Sequence, residues 1–184
     1  MEEKAVENVS FAAGKKIYTF GSDTNYGGVM ISGKAYLEST DSDGNRRIID
    51  VYESGDVFVG ESFPVSPMEN VRIVAKAACV VRFFKDAKSA EGHMEKRGKT
   101  FMRSSRRLMA HVRILGERSL RQKIIAFIGY EGRDTKENRI RISMSYSDMA
   151  DFISADRSAM MRELKSMSDE GIIKRDGRMI EVVR

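Results

Sequence analysis

From Phe11 to about residue 85 apolar positions alternate with polar ones, and turn residues are dense. Phe11, Ile17, Tyr18 and Phe20 open the series, and Val29-Met30-Ile31 runs into Ser32-Gly33 and then Lys34-Ala35-Tyr36-Leu37-Glu38. Asp41-Ser42-Asp43-Gly44-Asn45 is a hairpin tip, residues 46–52 resume the strand pattern, and Gly55-Asp56 turns again. Residues 71–84 supply the last pair of strands. Short strands with glycine-containing turns predict a small β-roll or jelly-roll barrel. From about Asp86 the period changes, and Met94, Phe101, Leu108 and Leu115 recur every seventh residue. A heptad stripe predicts a long helix that pairs with another helix, here a parallel two-helix dimer seam, with His111 and Val112 falling between its members. The charges flanking it, Arg103 and Arg107 among them, are then solvated or pocket-facing. Gly116-Glu117 marks a hinge, residues 119–130 the next helix, residues 131–138 a polar loop and residues 139–142 a short strand.

The last forty or so residues hold the most specific pattern. Ser145 and Asp148 have the Ser-x-x-acid spacing of a helix N-terminus, and Met149, Phe152 and Ile153 share one face of the helix they open. After a break at Ser154-Ala155, Asp156 caps a second helix in which Met160, Leu164 and Met167 form a buried stripe. Gly171 suits the left-handed end of that helix. Ile172-Ile173 and residues 179–183 read as strands around an Asp176-Gly177 turn, a two-stranded wing. Together these predict a winged helix-turn-helix, whose second helix would enter the major groove of double-stranded DNA. Its open face carries Arg157, Ser158, Met161, Arg162 and Lys165. The arginine forks suit guanine O6 and N7, and Lys165 suits phosphate.

Composition sharpens the division. The net charge of +5 is the sum of −4 over residues 1–95 and +9 over residues 96–184. The basic half has the long-range attraction that a polyanion needs. No apolar run approaches the ~20 residues of a membrane span, and the acidic N-terminus lacks a signal-peptide pattern, so the expected location is the cytoplasm. Cys79, His93 and His111 are too few for a Cys/His metal site. No nucleophile–base or phosphate-loop motif points to an enzyme. The fold class expected is α+β, with a sensor roll over residues 1–93, a dimerisation helix over 94–117 and a winged helix-turn-helix over 118–184.

Roll, dimer helix and winged unit, in that order, resemble the Crp/Fnr family of bacterial transcription regulators. The matching pieces are ISGKAYLESTDSDGNRRIIDVYESGDVFVGE, AKAACVVRFF and the segments 145–153, 156–165 and 172–182. The resemblance implies a homodimer acting on a near-palindromic operator, with RNA polymerase a further partner. It places Arg157, Ser158 and Arg162 at the base-reading positions. The middle one is commonly Glu in the family; Ser158 is far less selective. Ser145 and Asp156 match positions near phosphate, and Arg175 and Arg178 on the wing are further phosphate contacts, beside Lys165.

The effector pocket is where the sequence departs from the family. The Gly-Glu pair of its cyclic-nucleotide binders is present as Gly60-Glu61, but the Arg-Ser pair that grips the phosphate is Glu69-Asn70. A carboxylate there repels a cyclic phosphate. Arg72 is out of register, and the adenine-reading pair falls at Leu108-Met109. Cyclic AMP is therefore not expected as the effector, and no cofactor is predicted. A second reading is a small-molecule-binding barrel whose output is a protein contact; steep salt dependence of duplex binding separates the two.

Overall fold

A computed structural model of the chain describes residues 8–21, 26–60, 70–94, 98–135 and 137–183, without the side chains of 87, 92–94 and 98–101. It divides into two compact units, Met1–Arg107 and Leu108–Arg184. The boundary falls inside a helix, not at either end of residues 94–117.

The first unit is built from β1 (Asn8–Phe11), β2 (Lys16–Thr19), β3 (Gly27–Ser32), β4 (Lys34–Thr40), β5 (Arg46–Glu53), β6 (Val57–Val59), β7 (Asn70–Ala75) and β8 (Cys79–Phe84). They form two four-stranded sheets, ordered β1-β8-β3-β6 and β2-β7-β4-β5, so the architecture is a double sheet and not a closed barrel. The chain changes sheet at Gly33, where φ is +93° and a Cβ would lie 2.2 Å from the Ala78 carbonyl oxygen, so only glycine fits. The predicted tip after β4 forms as expected: the Asp41 carboxylate accepts from the backbone N–H of Asp43 and Asn45. Strand alternation sets the core. Met30, Phe58 and Val81 of one sheet meet Leu37, Val71 and Ile73 of the other. Tyr18, Phe20, Tyr52, Phe58 and Phe83 fill it with ring pairs whose centroids lie 5.1–6.2 Å apart.

After the sheets the described chain is helical, as α1 (Ala87–Met94) and α2 (Gly98–Gly116), with residues 95–97 outside the described residues. Of the two settings expected for the flanking charges, solvated or pocket-facing, Arg107 is not in the first; it is buried and bridges two buried carboxylates. Its Nε donates to Asp50 Oδ1 at 3.1 Å and its Nη1 to Asp56 Oδ2 at 2.9 Å. Arg103 Nη2 donates to the other Asp56 oxygen at 2.8 Å. Burial pushes the Asp50 carboxyl up, against the pull of Arg107.

The second unit holds the end of α2, α3 (Leu120–Glu131), β9 (Arg139–Arg141), α4 (Tyr146–Phe152), α5 (Arg157–Asp169), β10 (Ile173–Asp176) and β11 (Met179–Val182). Ser119 and Gln122 form a reciprocal capping box that starts α3. Ile114, Ile124, Phe127, Met149, Ile153, Met160, Leu164 and Met167 are all buried. The wing has three strands, not two: β9 joins β11 with Ile140 opposite Ile180. Arg121 of α3 ties down α5, donating to Glu163 and, through both terminal nitrogens, to Glu170 at 2.6 Å. These bonds hold the Glu170 carboxyl down to about 2, from an ordinary 4.5.

Two outcomes follow from these charges. Asp56→Ala leaves Arg107 with Asp50 alone and takes away the partner of Arg103 and of the Glu53 N–H, and removing one member of such a buried cluster costs about 3–5 kcal/mol. Urea unfolding followed by circular dichroism should show that loss, and a change under about 1 kcal/mol would refute the buried-pair account. Glu170 has a depressed folded pKa, so its contribution to stability is complete above about 4.5 and disappears as pH falls through about 2. Carboxyl NMR should find its midpoint near 2, returning to the ordinary carboxylate range in Arg121→Met.

Candidate nucleic-acid interface

Local capping sets the helix-turn-helix. Ser145 is the N-cap of α4; its Oγ accepts from the Asp148 backbone N–H and donates to the Asp148 carboxylate at 2.6 Å. Asp156 is the N-cap of α5 and accepts from the Ala159 N–H at 2.7 Å. Its carboxylate is thus spent on the cap and would repel phosphate; only its place in the turn brings it near one. Between the helices Ser154 takes φ of 51°, the one non-glycine residue at positive φ among those described. Gly171 and Gly177 supply the left-handed positions after α5 and at the wing tip.

With Met160, Leu164 and Met167 fully buried, α5 turns Arg157, Ser158, Arg162 and Lys165 to solvent. None of these three cations has an acidic partner among the described residues, whereas the α5 acids Glu163 and Glu170 are held by Arg121. The outward face is left cationic. On the wing, Arg175 lies over the Tyr146 ring at 5.6 Å, and the Tyr146 hydroxyl donates to the Gly177 carbonyl. Arg178 is exposed, and its carbonyl accepts from Ile142. Burial pushes the Tyr146 phenol up, with Arg175 opposing.

Sequence reasoning missed Arg139, Lys174 and Tyr146. Arg139 and Lys174, with the expected Arg175, line a shallow cleft of about 100 Å³ on the wing sheet beside Asp176, Met179 and Glu181. The Arg-Ile-Arg alternation of β9 was the available signal. Tyr146 gave none, because its partners lie across the fold. His111 is a correction. It is not on the seam but buried, stacked on Phe152 with ring centroids 3.9 Å apart, and its Nε2 lies 2.6 Å from the Phe152 carbonyl oxygen. Helix geometry turns each residue about 100° from the last, which takes His111 off the face that exposes Leu108 and Val112.

Of the seam residues, Leu108 and Leu115 are 43% and 38% exposed; Val112 and Met109 between them reach 69% and 71%. The side chains of Met94 and Phe101 lie outside the described residues. Of the candidate effector residues, Glu61 and Glu69 also lie outside them. Gly60 packs against Tyr18, whose hydroxyl would be 2.5 Å from an added Cβ. Asn70 is exposed at the start of β7. Arg72, out of register for the pocket, projects from the outer face, since Val71, Ile73 and Ala75 face the core, and it donates to Glu38 at 3.0 Å. Leu108 and Met109 belong to the other compact unit, and both are exposed.

Comparison with known proteins fits this geometry. Residues 122–184 match the family described as Crp-like helix-turn-helix domain. No curated protein sequence matches the chain. FixK2 from Bradyrhizobium japonicum is similar in structure, with a TM-score of 0.69 and 20% identity over 98% of this chain and 93% of that one. A CRP-family transcriptional regulator from Thermus thermophilus gives 0.67 and 19%, covering 96% and 92%. CLP of Xanthomonas campestris, a global regulator responsive to c-di-GMP, gives 0.74 and 13%, covering 97% and 94%. No helix among the described residues is long and apolar enough to cross a membrane. The chain therefore ends in a Crp-like helix-turn-helix domain and, over nearly its whole length, has the fold of the Crp/Fnr family of transcription regulators.

Proposed function

We propose that this chain is a homodimeric, sequence-specific DNA-binding transcription regulator acting on a near-palindromic operator from the cytoplasm. The observation that carries the reading is the outward face of α5: among the described residues Arg157, Arg162 and Lys165 have no acidic partner, while Arg121 holds Glu163 and Glu170. Arg157 and Arg162 each offer a guanidinium fork to guanine, worth about 1–3 kcal/mol per good pair. Ser158 lies between them and reads little. Lys165, Arg175, Arg178 and the Ser145 turn take the phosphates and set register, with Asp156 beside them as the cap of α5 and not as a phosphate ligand.

The α2 stripe Leu108, Val112 and Leu115 has the four-three spacing of a coiled-coil seam and is exposed in a single copy, which supports pairing with a second. Two α5 helices would then address half-sites about one helical turn apart. RNA polymerase is the expected further partner of the bound dimer. The effector, where there is one, is not cyclic AMP: Glu69 replaces the phosphate-gripping arginine, and Arg72 is engaged by Glu38 on the outer face.

The decisive experiment captures genomic fragments with the purified protein at fixed, moderate salt, and sequences them. A recurrent two-fold-symmetric site is expected; no enriched site, even with cell extract added, overturns the reading. On that site Arg157→Ala should lose about 10- to 100-fold in affinity while non-specific binding hardly changes. Lys165→Ala should instead weaken all duplexes alike and lower the salt slope by about 1. In sedimentation, Val112→Glu should convert the dimer to monomer; an unchanged dimer places the seam elsewhere.

A further inference from the structure

The turn between α4 and α5 carries a cost and two supports. Ser154 holds a left-handed backbone that side chains disfavour. The carbonyls at the end of α4 have no partners within the helix and must find them elsewhere. Phe152 O is met by His111 Nε2 at 2.6 Å, and Ile153 O by Lys123 Nζ at 3.3 Å. A carbonyl oxygen only accepts, so His111 carries its proton on Nε2 and donates. The His111 ring also lies flat on the Phe152 ring, 15° from parallel, and Phe152 packs in turn against Phe127 and Tyr130.

We propose that His111 is a positioning residue: its Nε2–H and its ring hold the α4–α5 turn in the left-handed form and so set the pose of α5 from the helix that carries the seam. A side chain serving only to pack on Phe152 would need no donor, and phenylalanine would serve as well. The consequence for DNA rests on the regulator reading; the consequence for the turn does not.

The test uses the full chain and two readouts. The first is hydrogen exchange at the turn without DNA, above all the Ala155 amide, which donates to Ala150 O. The second is affinity for a fragment captured by the wild type. His111→Phe keeps the ring and removes the donor. It should speed exchange at the turn about tenfold, the scale of one lost hydrogen bond, and weaken the captured fragment by a similar factor. Adding Ser154→Gly should return both to within about twofold, because glycine adopts the turn conformation without strain. Wild-type exchange in His111→Phe, or no rescue by Ser154→Gly, overturns the proposal. Should His111→Phe not fold, Lys123→Met removes the second support and should give the same faster, glycine-rescued exchange; an unchanged rate again overturns it. Were the wild type to capture no fragment, the regulator reading would fall, and the exchange comparison would still decide the role of His111.

Discussion

Two carboxylates are buried where the double sheet is open, and their charge must be met. Asp50 lies on β5 and Asp56 just before β6, the free-edge strands of the two sheets. An unpaired charge at either place would cost several kcal/mol. Arg107 answers both at once with a fork fixed in one plane. The start of α2 is placed by this requirement, since Arg103 and Arg107 reach one cluster only from one helical face.

In the C-terminal unit the same logic is used to separate charges. Arg121 gathers two acids from the inner flank of α5. The bonds are exposed and worth little for stability. Their larger effect is on the field: negative charge is drawn away from the face on which Arg157, Arg162 and Lys165 stand.

The elements legible in the sequence were those written locally. The caps at Ser145 and Asp156, the turn at Gly177 and the stripe through Met160 and Leu164 depend on neighbours a few residues away, and each lies where its spacing put it. What escaped was written at long range. Arg107 meets partners 51 and 57 residues off, and no spacing announces them. A heptad count identified apolar members of α2 but gave its intervening positions no direction, so His111 was read onto the wrong face. The third wing strand depends on Ile140 meeting Ile180 with α4, α5 and β10 between them in the chain, a pairing that a hairpin signal does not encode. The base-reading roles proposed for Arg157, Ser158 and Arg162 come from register with a known family, and the structure adds that these side chains stand exposed.

The core of the C-terminal unit has a chemical character of its own. Met160 and Met167 on the inner face of α5, Met149 of α4 and Met144 are all buried, each 2% exposed or less. Thioether chains are unbranched and polarisable, so they fill gaps by changing torsion where branched side chains would leave voids. A helix seated on them can shift slightly without emptying the space below it. The same sulfurs can be oxidised: one sulfoxide would set a polar oxygen in that apolar core, and α5 would lose its seating through chemistry that never touches its outward face.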